Sequence, residues 1–163
     1  MKTKLLLLAV LLVVTLCVEA QKADEKQFKL GAGAMLGIPV GDITSVASLA
    51  FGFDLLGEYA VAPSFALTLS AGYTDWAKKS GINGKWGLIP VFAGGKYCFT
   101  DQIYGSFQAG ISFWVDGTKS EFVFAPGVGY KITDKFDLLL KFQSQSNKSW
   151  GTSFFGLRAD YSF

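Results

Sequence analysis

Histidine is absent from all 163 residues. That gap excludes a Ser-His nucleophile pair and any histidine-ligated metal site. Cysteine is almost absent as well, with Cys17 and Cys98 the two present. Neither sign of charge prevails, since 15 basic residues face 13 acidic ones, so nothing points to nucleic acid. Beyond residue 20, no apolar stretch is long enough to form a transmembrane helix.

The apolar run that does exist lies at the start. "MKTKLLLLAVLLVVTLCVEA" sets two lysines before apolar residues 5–18 and ends Val18-Glu19-Ala20. A charged n-region, an h-region and a small-residue cleavage site predict a cleaved secretory signal peptide over 1–20. The run is short of the ~20 apolar residues of a spanning helix. Leu16 before Cys17 argues against a lipoprotein. Without this segment 13 basic and 12 acidic residues remain. Cys98 is then the single cysteine, which excludes an internal disulfide. The remaining length fits one domain, with a short periplasmic tail over 21–26 and a barrel over 27–163.

What the chain does hold is glycine and phenylalanine. All 19 glycines and 15 phenylalanines follow residue 20, and no helix-period segment accompanies them. That combination predicts β structure. Three segments repeat a pattern: "YAVAPSF" at 59–65, "YCFTDQI" at 97–103 and "YKITDKF" at 130–136. Their Pro and Asp positions predict tight hairpin turns.

Counting in twos from these turns separates two faces. One carries Phe51, Phe53, Leu55, Leu67, Leu69, Val91, Phe107, Ile111, Val128, Leu140 and their period-2 neighbours, with no charge at all. The other carries Lys29, Asp54, Glu58, Lys96, Lys131, Asp137, Lys141, Arg158 and Asp160 among small and polar residues, with larger exceptions at Met35, Phe92, Trp114 and Phe154. Exposed strands in water favour Lys, Glu and Thr over Gly and Ser. A crowded barrel interior needs small residues and tolerates paired charges. The apolar face is therefore expected outside, against lipid. The result is an all-β fold: an eight-stranded antiparallel up-and-down transmembrane β-barrel.

Closure explains the C-terminus. In hydrocarbon an unpaired backbone group costs several kcal/mol, so a spanning sheet must close on itself. The last strand, with Phe155, Leu157, Ala159, Tyr161 and Phe163 on one side, is expected to pair with the first, about 28–38. Tyr59, Tyr97, Tyr130 and Tyr161 should form an aromatic girdle near the turns. The other connections, near 39–48, 75–87, 116–121 and 143–150, are expected to be the outer loops, with both termini periplasmic. Pro126 removes a ladder donor from an interior strand, so a bulge is expected there.

"GEYAVAPSFALTLSAGY", "IPVFAGGKYCFTD" and the terminal "LRADYSF" resemble the small outer-membrane β-barrel proteins of Gram-negative bacteria, of OmpA- and OmpX-like architecture. The resemblance covers essentially the whole exported chain. It implies residence in the cell outer membrane. It also implies that the alternating C-terminus, Phe155 to Phe163, is read by the barrel-assembly machinery. That family is functionally mixed, so activity does not follow from it.

The expected role is structural or interactive at the cell envelope, in contact with outer-membrane lipid, lipopolysaccharide or a surface partner, as a monomer. The inward charges Asp54, Glu58, Lys96, Lys131, Asp137, Lys141, Arg158 and Asp160 are expected to pair and plug the lumen, because unpaired buried charge is costly. An ion path through them, giving a narrow porin-like channel, is the alternative. A soluble lipocalin-like ligand-binding barrel is the second. No enzyme, cofactor or metal is expected, since the lipid-modifying barrels of the resembled family depend on histidine. "DWAKKSGINGKW" at 75–86 is expected as a solvated outer loop with interfacial tryptophans, the alternative being a lipopolysaccharide contact. Cys98 is expected inward as a small filler.

Overall fold

The computed structural model describes residues 28–81, 86–116, 119–146 and 151–163. The proposed signal peptide and tail, and Lys85 of the 75–86 segment, lie outside the described residues.

Strict alternation produces eight strands. They are β1 (Phe28–Val40), β2 (Ala47–Ala62), β3 (Phe65–Lys78), β4 (Leu88–Cys98), β5 (Ile103–Trp114), β6 (Ser120–Lys131), β7 (Phe136–Ser146) and β8 (Thr152–Ser162). Each pairs antiparallel with the next in sequence, and β8 returns to β1 to close the barrel. At that seam the register runs from Gly31 opposite Ser162 to Val40 opposite Ser153. Phe163 adds a backbone bond, its N–H donating to Leu30 C=O at 2.8 Å. The terminus is thus held by the first strand, as closure demands.

Parity sorts the two faces. Leu157 is 53% exposed and Leu36 59%, while Arg158 between outward neighbours is 1% exposed. A soluble ligand-binding barrel would show the reverse. Among the described residues none of the outward apolar set is buried.

The tight turns lie at the end that also holds both ends of the barrel sheet. Pro63–Ser64 joins β2 to β3. In the other two, threonine makes the side-chain bonds that the pattern had suggested for aspartate. Thr100 Oγ1 accepts from Ile103 N–H at 2.9 Å, and Thr133 Oγ1 from Phe136 N–H at 3.0 Å. The hydroxyl occupies the first corner, where a short acceptor reaches the amide three residues on.

Two expectations are corrected. The segment 75–87 is not all loop, because β3 continues to Lys78; Trp76 is therefore an inward strand residue, 2% exposed, and not an interfacial one. Nor does Pro126 cause a bulge. It pairs with Phe107 in register, and on its other side the pairs Phe124–Ser144 and Gly127–Lys141 keep the same register while the positions between them drop out of pairing. Losing one donor interrupts the ladder without adding a residue.

Candidate functional site

The inward side chains divide along the barrel axis. Nearest the turns, the ends of β2 and β4 meet the starts of β5 and β7. There Lys96 Nζ donates to Glu58 Oε1 at 2.8 Å and to Asp137 Oδ2 at 3.3 Å. Tyr104 Oη donates to Asp137 Oδ1 at 2.9 Å. The Lys96 ammonium also lies 4.1 Å from the centre of the Tyr104 ring. A buried amine thus has two carboxylates and an aromatic face, which offset its lost hydration. The ring needs room, and it rests against Gly129 of β6, where any side chain would collide with it.

One layer further in, Arg158 reaches across the seam. Its Nη2 lies 2.9 Å from Asp54 Oδ1 and 2.5 Å from Asp160 Oδ1. These contacts are ionic rather than aligned hydrogen bonds. Asp54 belongs to β2 and Arg158 to β8, with β1 between them, so the triad straddles the closing strand pair. Gly33 of β1 sits opposite both Asp54 and Asp160. A Cβ there would lie 2.6 Å from Arg158 Nε and 2.8 Å from Asp54 Oδ1, and closer still to Asp160. Glycine at this position is the seat on which the triad rests.

The structure regroups the sequence-derived set. Glu58 belongs with Lys96 and Asp137, and Arg158 with Asp54 and Asp160. Lys131 lies instead at the turn-side mouth, where Nζ is 3.2 Å from Cys98 Sγ. Lys141, 4% exposed, makes no ion pair among the described residues and has the Phe92 ring 5.6 Å away. These two correct the expectation that all eight charges pair. Tyr59, Tyr97, Tyr130 and Tyr161 point outward at the turn end, each between 45% and 50% exposed.

The loop-side half is filled differently. Met35, Ile43, Ala47, Ala50, Trp76, Leu88 and Phe154 form a buried apolar cluster. Trp76 and Phe154 meet edge to face at 5.5 Å. Ile43 comes from a short 3₁₀ helix, Gly41–Ser45, between β1 and β2, and is fully buried. Gly41, at φ +76°, makes the turn that drops this helix over the mouth. Between the halves, Gln108 Nε2 donates to Thr68 Oγ1 and Ser70 Oγ at 3.3 Å.

Gln108 is inward as its parity predicts, and Tyr104 and Glu121 are inward polar residues that parity alone had not singled out. Tyr104 shares the parity of Lys96. Glu121, 8% exposed, was lost because 116–121 read as loop, whereas β6 begins at Ser120.

At the turn-side end the barrel opens into a polar cavity of about 550 Å³, lined by residues that include Lys29, Glu58, Lys96, Lys131 and Asp137. Among the described residues no group of acidic or cysteine side chains could hold a metal ion.

Comparison with known proteins agrees with this geometry. A family model described as outer membrane protein beta-barrel domain matches residues 8–163. No curated protein matches the chain in sequence. Among solved structures, Ail, the attachment invasion locus protein of Yersinia pestis, is similar at a TM-score of 0.60 and 14% identity, covering 84% of this chain and 98% of Ail. The N-terminal barrel domain of Pseudomonas aeruginosa OprF gives 0.59 at 12% identity, over 83% and 97%. A de novo designed transmembrane β-barrel gives 0.57 at 15%, over 83% and 95%. Likeness shared with a designed protein is likeness of fold.

Proposed function

This chain belongs to the outer membrane protein beta-barrel domain family, and from that premise we propose that it is a closed outer-membrane barrel acting through its surfaces rather than through its lumen. The single observation that carries this reading is the double filling of the interior. A paired ionic network occupies the turn-side half, and an apolar cluster capped by Ile43 occupies the loop-side half. Eight strands leave only enough interior for side chains, and beyond the polar cavity at the turn-side mouth side chains take it up.

The uncharged outer face contacts lipid in this reading. The tight turns and both termini face the periplasm, and the four turn-side tyrosines mark that interface. The alternating end, Phe155 to Phe163, serves recognition by the assembly machinery. The loop end, with Lys78 and Lys79 exposed, is the surface offered to lipopolysaccharide or a surface partner. Ail has been crystallised with the heparin analogue sucrose octasulfate, which makes polyanions a sensible first probe of that end. No catalytic role is assigned.

Planar-bilayer recording tests the closed lumen. The purified barrel should pass no stable single-channel current, and a steady conductance abolished by Arg158→Trp would replace this reading with the narrow channel. Heat-dependent gel mobility should show a compact barrel that shifts on boiling in detergent.

A further inference from the structure

We propose that the loop-side end of the lumen is a lidded binding site for a small uncharged amphipathic molecule, with Ile43 as the resident side chain that such a molecule displaces. The lid is the 3₁₀ helix Gly41–Ser45. Within it Ile43 is fully buried, while Gly41, Asp42, Thr44 and Ser45 are exposed. The helix closes its own hydrogen bonds. Thr44 Oγ1 donates to Gly41 C=O and Ser45 Oγ to Asp42 C=O, each at 2.7 Å, and Val46 N–H donates to Ile43 C=O at 3.1 Å. It can therefore swing as a unit about Gly41, whose φ of +76° glycine adopts without steric cost. Lys79, just past β3, latches it. Its N–H donates to Val46 C=O at 2.9 Å and its Nζ to Thr44 C=O at 2.6 Å.

Beneath the lid the walls are of two kinds. Met35, Ala47, Ala50, Trp76, Leu88 and Phe154 give Ile43 an apolar seat. Alongside stand buried polar groups that no protein atom hydrogen-bonds. These are both amide atoms of the Gln143 and Gln145 side chains, Thr152 Oγ1, and the indole N–H groups of Trp76 and Trp114. Gln143, Gln145, Thr152 and Trp76 are each at most 4% exposed. Register sets these groups level with the seat. Gln143 pairs with Phe154 and Gln145 with Thr152, Trp114 pairs with Leu88, and Trp76 with Ala50.

An apolar pocket with a few convergent polar groups is the usual build of a small-molecule site. Here the seat is taken by a hydrocarbon side chain, which offers those groups nothing. Each donor or acceptor covered in this way keeps the cost of its lost hydration. A molecule with an apolar body and a hydroxyl or carbonyl fills the same seat and bonds them as well. It gains those bonds in the open form alone, and such a difference in affinity is what moves a lid. The unpartnered groups beside the seat are all neutral, so they call for a neutral partner. Exchanging Ile43 for the ligand keeps this half filled and leaves the ionic layers in place. The inference therefore stands apart from the closed-lumen reading.

The test is NMR of the full barrel in lipid nanodiscs, with isoleucine methyl groups and tryptophan indoles labelled, titrated with cyclohexanol or methylcyclohexane. The two probes share a shape and differ in the hydroxyl. Cyclohexanol should shift the Ile43 methyl signal and move the Trp76 indole N–H downfield, both saturably. Methylcyclohexane should leave that N–H in place. Lys79→Met, an exposed change that undoes the side-chain latch, should lower the cyclohexanol midpoint at least threefold, and Ile43→Ala, which clears the seat, at least tenfold. Gln145→Leu with Thr152→Val should raise it at least tenfold, and Leu55→Ala on the outer face should not move it. Absence of a saturable shift in both wild type and Lys79→Met would overturn the site. Equal responses to the two probes would overturn the amphipathic ligand. A Trp76 N–H that exchanges with solvent like an exposed indole, with or without alcohol, would overturn it in favour of water alone.

Discussion

The two halves of the lumen are walled by the same eight strands, yet they are filled by opposite chemistry. In the turn-side half two cations, Lys96 and Arg158, are paired with four carboxylates by contacts of 2.5 to 3.3 Å. The loop-side half holds a tryptophan, a phenylalanine, a methionine and aliphatic residues that touch without directional bonds. Each solution has its own failure mode. Charges fail when a partner is removed, because the remaining charge stays buried. Apolar filling fails when volume is removed, because the wall cannot collapse onto the gap. A barrel built with both resists being opened from either end.

The sharpest way to break this contrast is to delete Arg158, which is 1% exposed between Asp54 and Asp160. Arg158→Ala should lower unfolding free energy by about 3–5 kcal/mol, read by urea titration in lipid vesicles. Removing Asp54 and Asp160 as well should recover part of that loss, which no cavity effect would do. In the other half Phe154→Ala should cost about 3–4 kcal/mol, and Phe154→Leu much less, since bulk rather than charge is what it supplies.

Gly33→Ala comes next. Its methyl group would enter space held by all three members of the triad, for an overpacking cost of about 1–3 kcal/mol. The same change in an Arg158→Met background should cost less. Tyr104→Phe removes one hydrogen bond to Asp137 and should cost about 1.5–3 kcal/mol, the value of a bond to a charged group. The smallest expected quantity is a coupling. A double-mutant cycle of Glu58→Gln with Lys96→Met should show more than ~1 kcal/mol of interaction, and Glu58→Gln with Arg158→Met less than ~0.5. Equal couplings would mean that the two layers form one network.

Much of the wall was legible residue by residue. Leu157 and Arg158 are adjacent in the chain and opposite in environment, and a period of two reports that directly. Trp76 was not legible, because a strand that continues past its expected end carries a loop residue into the interior. The partners of the charges were not legible either. Arg158 and Glu58 lie on the same face by parity, yet Glu58 pairs with Lys96 of β4, which also holds Asp137 of β7.

Sidedness, strand number and closure are therefore properties of the sequence taken alone. They depend on which neighbour along one chain faces which way, and backbone pleating makes that strictly local. Partnership across the lumen, the glycine seats under Arg158 and Tyr104, and the helix that lowers Ile43 into the mouth depend on how eight strands are staggered around a cylinder. That stagger brings together residues separated by dozens of positions, so only the closed barrel could decide them.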